Sequence, residues 1–393
     1  IKKLNIENII LEASSHGLKQ NRLDGLKFNV GIFSNLSLDH LDYHRSYKDY
    51  LKSKMYLFEK LLKKKSSIIT DNNIPEYKVI KNISQKNEAR LITISNENSD
   101  LSIISHQYLG EKQLLKLKYK KSLYRIELNL IGKIQVTNIL MAILAAKKSN
   151  IKIEKIINVL SKIKPVNGRM EKIGVINNNS YVLLDYAHTP EALLTCLQNV
   201  KDQFKNRKIS IVFGCGGNRD KFKRPIMGRI ANEYCDKIYL TDDNPRFENP
   251  KKIRLAIKKK INQNKIYEIS NRGKAIGEAI KNLYTGEILI VAGRGHEKIQ
   301  DYGNEKKFFS DKNFILKHIK KKNRKIKKNL KLNILKELSN KNYLPVKSKI
   351  RRASINSKEI KKNDIFFAIK GKKNDGNLFL KEAFRKGASL AVV

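Results

Sequence analysis

An α/β fold built on parallel sheets is the class this sequence predicts, and three observations carry it. Short apolar runs such as Ile209–Phe213, Lys237–Leu240 and Glu287–Ala292 have the length and β-branched content of strands buried on both faces. Stretches of helical periodicity separate them. Polar loops follow the runs directly: Gly214-Cys-Gly-Gly-Asn-Arg219-Asp220 after one, and Thr241-Asp-Asp-Asn-Pro-Arg246 after the next. In an open α/β sheet, ligands bind at the carboxyl ends of the strands.

Residues 1–163 form the first expected domain. Asn8–Leu11 and Phe28–Phe33 read as strands. Ser46–Leu62 reads as an amphipathic helix, with apolar residues at 47, 50, 51, 57, 58 and 61. Residues 100–131 alternate as a β-meander does, and Val136–Lys148 and Ile153–Lys162 read as helices. Pro165-Val-Asn-Gly168 punctuates a boundary. Residues 164–316 restart the βα rhythm, with strands at Tyr181–Leu184, Ile209–Phe213, Lys237–Leu240 and Glu287–Ala292, as a doubly wound, Rossmann-like domain requires. Residues 317–345 read as a basic linker, because Lys317–Lys328 is a dense cationic run suited to solvent or to an anion. Residues 346–393 carry a strand at Asp364–Ile369 and a helix at Leu378–Lys386, enough for the start of a further domain.

Composition narrows the function classes. No apolar run approaches membrane-spanning length, and no signal peptide is visible. Cys196, Cys215 and Cys235 include no Cys-x-x-Cys pair, so a reducing cytoplasm is the expected compartment. The net charge of +45 would suit nucleic acid. The excess is mostly lysine spread beside Ile and Asn, which a coding bias toward A/T-rich codons produces as readily as a binding surface does. Nucleic acid is therefore not an expected partner, whereas polyanionic small substrates are. The chain opens on Ile1 and closes on the strand-like Ala391-Val-Val393, so a fragment of a longer protein is expected.

Two constellations point to chemistry. The loops at 214–220 and 241–246 each deliver an arginine beside an acid, which suits a zwitterion. Arg219 and Arg246 would grip a carboxylate with paired hydrogen bonds, and an aspartate of these loops would take an ammonium, with Asn244 adding an amide. The alternative is a pair of solvated surface loops. Glu12, His40 and Lys54 form the second constellation. Carboxylate and imidazole suit a divalent metal. Lys54 lies on the apolar stripe of its helix, where a lysine loses its charge readily and can take up carbon dioxide as an anionic carbamate ligand. The alternative is a lysine snorkelling from the helix edge.

At this point Leu11-Glu-Ala-Ser-Ser-His-Gly-Leu18, Asn35–His44, Leu184-Asp-Tyr-Ala-His-Thr-Pro190, Gly214–Asp220, Thr241–Arg246 and Ala292-Gly-Arg-Gly-His-Glu297 together resemble the Mur ligases, over about residues 5–315. The resemblance implies a central ATPase-type domain followed by a Rossmann-like amino-acid-binding domain. It implies an ATP-dependent amide ligation through an acyl phosphate, on UDP-N-acetylmuramoyl-L-alanyl-D-glutamate. Glu12, His40 and carbamylated Lys54 match magnesium ligands. Ser14, Gln20 and Arg22 match contacts to the UDP-sugar peptide, and Asn138, Arg169 and Asp185 match positions around ATP. His188 matches either catalysis or a turn-stabilising role. Arg219, Asp243, Asn244, Pro245, Arg246, Gly293 and Glu297 match the amino-acid site. In the family, arginine at the position of Arg246 accompanies meso-diaminopimelate, and ligases for L-lysine lack it.

The sequence also departs from the family. No Gly-Lys-Thr or Gly-Lys-Ser loop occurs, and Gly132-Lys133-Ile134 lacks the upstream glycines and the hydroxyl residue. The family places that phosphate cradle before the Glu12 motif, so residues 1–393 alone are expected not to turn over. Gln135 stands where the family usually has asparagine. Ser354–Ile360, Asp364–Gly371 and Gly387–Val393 resemble the N-terminal domain of a second Mur ligase, with D-alanyl-D-alanine addition the preferred reading and a bifunctional fusion the implication. There the usual Asp-Ser-Arg reads Asn356-Ser357-Lys358.

Overall fold

Among the described residues the strands pair into two six-stranded sheets, a two-stranded hairpin and a three-stranded sheet. The computed structural model describes residues 6–37, 43–95, 98–329, 351–371 and 374–393. The chain divides into two packed units, one of residues 1–175 and 179–318, the other of residues 176–178 and 319–393.

In the first unit, a short helix α1 (Ser15–Lys19) precedes β1 (Phe28–Phe33). Helix α2 (Tyr47–Tyr56) starts where Ser46 Oγ accepts the Asp49 N–H at 3.1 Å, and continues as a π-helical turn to Leu61. Then come β2 (Leu62–Asp71), α3 (Tyr77–Lys86) and β3 (Arg90–Ser95), followed by β4 (Leu101–Leu109), β5 (Lys112–Tyr119) and β6 (Ser122–Leu128). The sheet runs in order from β1 to β6, parallel as far as β4 and antiparallel beyond. The expected meander is this antiparallel half. Helix α4 (Lys133–Lys148) packs Val136, Leu140, Ile143 and Leu144 onto Ile69, Ile94, Leu101 and Leu117. Each such side chain fully buried stabilises by about 1.5–3 kcal/mol. Helix α5 (Ile153–Val159) closes this half.

One expected strand does not form. Asn8–Leu11 is irregular and exposed, with Ile10 96% accessible. β1 is the sheet edge, and no described strand lies beyond it to supply a hydrogen-bonded ladder. Glu12 therefore sits on an irregular segment, not at a strand end.

The second sheet takes β7 (Glu171–Ile176), β8 (Ser180–Leu184), β9 (Ile209–Phe213), β10 (Lys237–Leu240), β11 (Ile266–Glu268) and β12 (Ile288–Val291) in the order β11-β10-β9-β12-β8-β7. The strands from β11 to β8 are parallel. Helices α6 (Pro190–Gln203), α7 (Lys223–Tyr234), α8 (Pro250–Lys258) and α9 (Arg272–Lys281) connect them, as a doubly wound fold demands. A hairpin of β13 (Ile299–Asp301) and β14 (Lys306–Phe308) follows. The two sheets meet where α6 side chains cap the start of α4: Gln203 Oε1 accepts Gly132 N–H at 2.8 Å and Asn199 Oδ1 accepts Ile134 N–H at 3.1 Å.

Where it is described, the basic run is helical. Lys317–Lys328 lies inside α10 (Asp311–Asn329). Lysine and arginine are good helix formers, and Ile315 and Ile319 are buried at helical spacing. Residues 330–345 of the expected linker lie outside the described residues. In the second unit, β15 (Ala353–Ser354), β16 (Asp364–Phe367) and β17 (Ala388–Val392) form a parallel sheet. Helix α11 (Leu380–Arg385) covers it, and Ile360, Phe366, Ala368, Ala383 and Ala388 form its core. Arg351 and Arg352 both hold the buried Asp364 carboxylate, at 3.0 and 2.9 Å.

Candidate functional site

The carboxyl ends of β8, β9, β10 and β12 lie side by side in the second sheet, and each opens into one of the polar loops. The loops after β9 and β10 interlock. Gly217 N–H bonds the Asn244 carbonyl at 2.9 Å, and a Cβ on Gly217 would lie 1.8 Å from the Pro245 oxygen, so no side chain fits there. Arg246 adopts φ 53°, a left-handed conformation that costs an L-residue roughly 1–2 kcal/mol. Its N–H bonds the Asp301 carbonyl at 3.0 Å and its Nη1 bonds the Gly217 carbonyl at 2.8 Å, which hold it there. A methyl on Gly216 would lie 2.9 Å from Arg246 Nη1 and 3.9 Å from Arg219 Cγ, so both arginines flank one spot. Arg219 is exposed, and the Arg246 side chain is 28% exposed.

The acids behave differently from one another. Asp243 is buried, with its Oδ2 3.8 Å from Arg272 Nη1. Burial pushes its carboxyl above the usual range, against the pull of Arg272 and Arg294. Gly293, at φ 110°, lets the β12 end pass against it; a Cβ there would lie 2.7 Å from Asp243 Oδ2. Glu297 is more accessible than Asp243, its side chain 32% exposed. Its Oε2 accepts Asn244 Nδ2 at 3.0 Å and its Oε1 accepts the Tyr186 hydroxyl at 3.3 Å. Asn244 Oδ1 in turn accepts Asp301 N–H at 2.9 Å, which fixes the orientation of the amide.

Tyr186 connects this cluster to the residues expected around a nucleotide. The Arg169 guanidinium stacks over its ring at 4.5 Å. Asp185, buried at the end of β8, accepts N–H bonds from Met170 at 2.7 Å and Ala187 at 2.8 Å. Burial nevertheless raises its carboxyl above the usual value, with those bonds opposing. His188 Nδ1 lies 3.0 Å from the Tyr186 carbonyl, a local turn contact. Gln135 Nε2 bonds the Arg169 carbonyl at 3.2 Å, so the residue in place of asparagine serves this corner, and Asn138 is exposed one turn along α4.

The front of the first sheet is more open. Glu12, Ser14, Gln20 and Arg22 are exposed on and around α1. Ser14 Oγ caps that helix by accepting Gly17 N–H at 3.1 Å, and Gln20 Nε2 bonds the Tyr43 hydroxyl at 3.0 Å. Lys54 is half-buried, with Nζ 5.3 Å from the centre of the Tyr50 ring. His40 lies outside the described residues. The donor set, carboxylate, imidazole and carbamate, fits a hard divalent cation in kind. Among the described residues no cluster of three His, Cys, Asp or Glu that could hold a metal is formed.

Sequence reasoning missed three buried charges beneath the loops: Arg272, Arg294 and Asp311. It also missed Arg224, which pairs with Glu248 through two 3.0 Å bonds behind the 214–220 loop. Among the described residues, no helix is long and apolar enough to cross a membrane.

Comparison with known proteins accords with this geometry. Residues 1–146 match the Mur ligase middle domain, and residues 168–295 match the Mur ligase glutamate ligase domain. The UDP-N-acetylmuramoyl-L-alanyl-D-glutamate–2,6-diaminopimelate ligase of Rickettsia typhi is 39% identical over 317 residues, covering 80% of this chain and 63% of that protein. A solved ligase of the same description is 30% identical, with a TM-score of 0.54, covering 79% of this chain and 63% of that one. A MurF ligase from Thermotoga maritima in complex with ADP has a TM-score of 0.58 at 15% identity, covering 79% of this chain and 65% of that one, a likeness of fold. The chain thus spans less than two thirds of the length of these relatives. With its two sheets, its strand-end loops and both domain matches, the chain belongs to the Mur ligase family.

Proposed function

We propose that this chain is the middle and amino-acid-binding part of an ATP-dependent ligase that joins meso-diaminopimelate to UDP-N-acetylmuramoyl-L-alanyl-D-glutamate in peptidoglycan synthesis. The observation that carries the proposal is the interlocked pair of loops, which holds Arg246 in a fixed left-handed conformation beside Arg219, Asn244 and Glu297. Arg246 and Arg219 pair with a carboxylate of the incoming amino acid. Glu297 and Asn244 receive its ammonium.

In the reaction, the γ-phosphoryl of ATP passes to an oxygen of the glutamate carboxylate, giving an acyl phosphate and ADP. The amino group of diaminopimelate that is not held as an ammonium attacks the acyl carbon in its neutral form, the tetrahedral intermediate expels phosphate, and the nitrogen releases one proton to solvent as the amide forms. Arg169, Asp185 and Asn138 orient the nucleotide, and Ser14, Gln20 and Arg22 hold the UDP-sugar peptide. Glu12, His40 and the Lys54 carbamate are the proposed magnesium ligands; magnesium, when bound, neutralises phosphoryl oxygens.

The proposed organisation is 1–163 for the middle domain, 164–316 for the amino-acid domain, 317–345 for the connection and 346–393 for the start of a second Mur ligase in a bifunctional fusion. A cytoplasmic location, small-molecule partners and no nucleic-acid partner complete the reading. Phosphate release by the full-length protein tests it. Release should depend on diaminopimelate, and equal or better use of L-lysine would overturn the specificity.

A further inference from the structure

Beneath the amino-acid loops lies a buried cluster that the proposed reaction does not touch. Arg272, the first residue of α9, is almost wholly buried. Its Nε donates to Asp311 Oδ1 at 2.8 Å, and its Nη2 donates to Asp311 Oδ2 at 2.7 Å and to the Ala292 carbonyl at 2.8 Å. Its Nη1 faces Asp243 Oδ2 at 3.8 Å. One planar group thus bonds the start of α10 and the last residue before Gly293, and it faces Asp243 of the 241–246 loop across an ion-pair distance rather than a hydrogen bond.

Arg294 reinforces the cluster from the other side. Its side chain is fully buried, and its Nη2 donates to the Ile299 carbonyl at 2.6 Å. Its Nε lies 3.6 Å from Glu297 Oε2 and its Nη1 lies 4.0 Å from Asp311 Oδ1. Two cations face Asp311 and Asp243, and Glu297 stands at the rim. A buried ion pair is weak support for stability alone, since desolvating the charges offsets much of their attraction. What such a pair supplies is a fixed geometry, and this geometry ends on the residues assigned to the amino acid.

We propose that Arg272 is the positioning residue of the amino-acid site: locked on Asp311 and the Ala292 carbonyl, it sets where Asp243 and the Gly293–Glu297 loop stand. This rests on the reading of that site as the diaminopimelate site. Lysine cannot replace arginine here, because it lacks the fork that meets the carboxylate and the carbonyl together.

The test uses Arg272→Lys and Asp311→Asn in the full-length protein, with KM for diaminopimelate, KM for ATP, kcat and the thermal midpoint measured for each. The expected result is a KM for diaminopimelate raised on the order of tenfold, the effect of one misplaced charge-assisted contact, with the KM for ATP near wild type. A folded variant with an unchanged KM for diaminopimelate overturns the proposal, and so does a parallel rise in both KM values, which marks general loosening. Should Arg272→Lys fail to fold, the isosteric Asp311→Asn carries the measurement. A wild-type protein that does not use diaminopimelate defeats the functional reading instead, and is read separately.

Discussion

The two ends of the proposed reaction are built in opposite ways. At the carboxyl edge of the second sheet, Asp243, Asn244, Gly293 and Glu297 are held by glycine-permitted contacts and by a floor of buried charge. At the front of the first sheet, Glu12, Ser14, Gln20 and Arg22 stand exposed around a five-residue helix. The difference separates two tasks. Telling one amino acid from another needs groups fixed before the ligand arrives. The exposed front residues are the ones proposed to meet a long sugar-nucleotide and a metal.

The comparison can be broken most sharply at Lys54. Lys54→Ala in the full-length protein should abolish ligation, a loss of roughly a hundredfold or more, with partial rescue by small carboxylates. Unchanged turnover would remove the carbamate and, with it, the assignment of the open front as a metal site. Arg246→Ala should come next. It should raise KM for diaminopimelate about tenfold to a hundredfold, the worth of one charge-assisted pair, and shrink the preference over L-lysine. A preference that survives intact would place selection elsewhere.

Gly217→Ala tests rigidity directly. Its Cβ would meet the Pro245 oxygen at 1.8 Å, so the 241–246 loop must move. A loss of about 1–3 kcal/mol in denaturant unfolding is expected; an alanine variant of wild-type stability and specificity would show that the interlock is dispensable.

The smallest effect is a contrast in pH dependence. Asp185 and Asp243 have folded values raised above the ordinary 3.8, by burial. Their contribution to stability is therefore fully present below that value and is lost as pH rises through the folded value. Asp49, at the front, is lowered from 3.8 by its bond from Lys19 and the Arg45 N–H. Its contribution is present above 3.8 and is lost as pH falls through its folded value. Amide exchange followed on acidification should thus loosen the start of α2 relative to the ends of β8 and β10. The same direction of change in both places would contradict the contrast.

Much of the fold is legible in the sequence for a physical reason. Strands buried on both faces must be short apolar runs, and Ile209–Phe213 and Lys237–Leu240 form over the residues expected, as does the half-buried edge strand Phe28–Phe33. Asn8–Leu11 has the same look, but a strand is a property of a pair, and no described neighbour supplies the ladder. The basic run at 317–328 reads as linker because charge suggests solvent, while all of it continues the helix that starts at Asp311 and buries Ile315 and Ile319. The amino-acid loops are legible because glycine, proline and paired charges at strand ends are local signals. Arg272 and Asp311 are not, because they lie 39 residues apart and nothing in a sequence distinguishes a buried charge from a solvated one.

The central claim is that Arg246 and its interlocked loops choose the amino acid. The most direct test is kcat/KM of the full-length protein with meso-diaminopimelate and with L-lysine, for wild type and Arg246→Ala side by side. The account predicts a wild-type preference for diaminopimelate of at least about tenfold that largely disappears in the variant. Equal use of both amino acids by the wild type, or an undiminished preference in the variant, would contradict it.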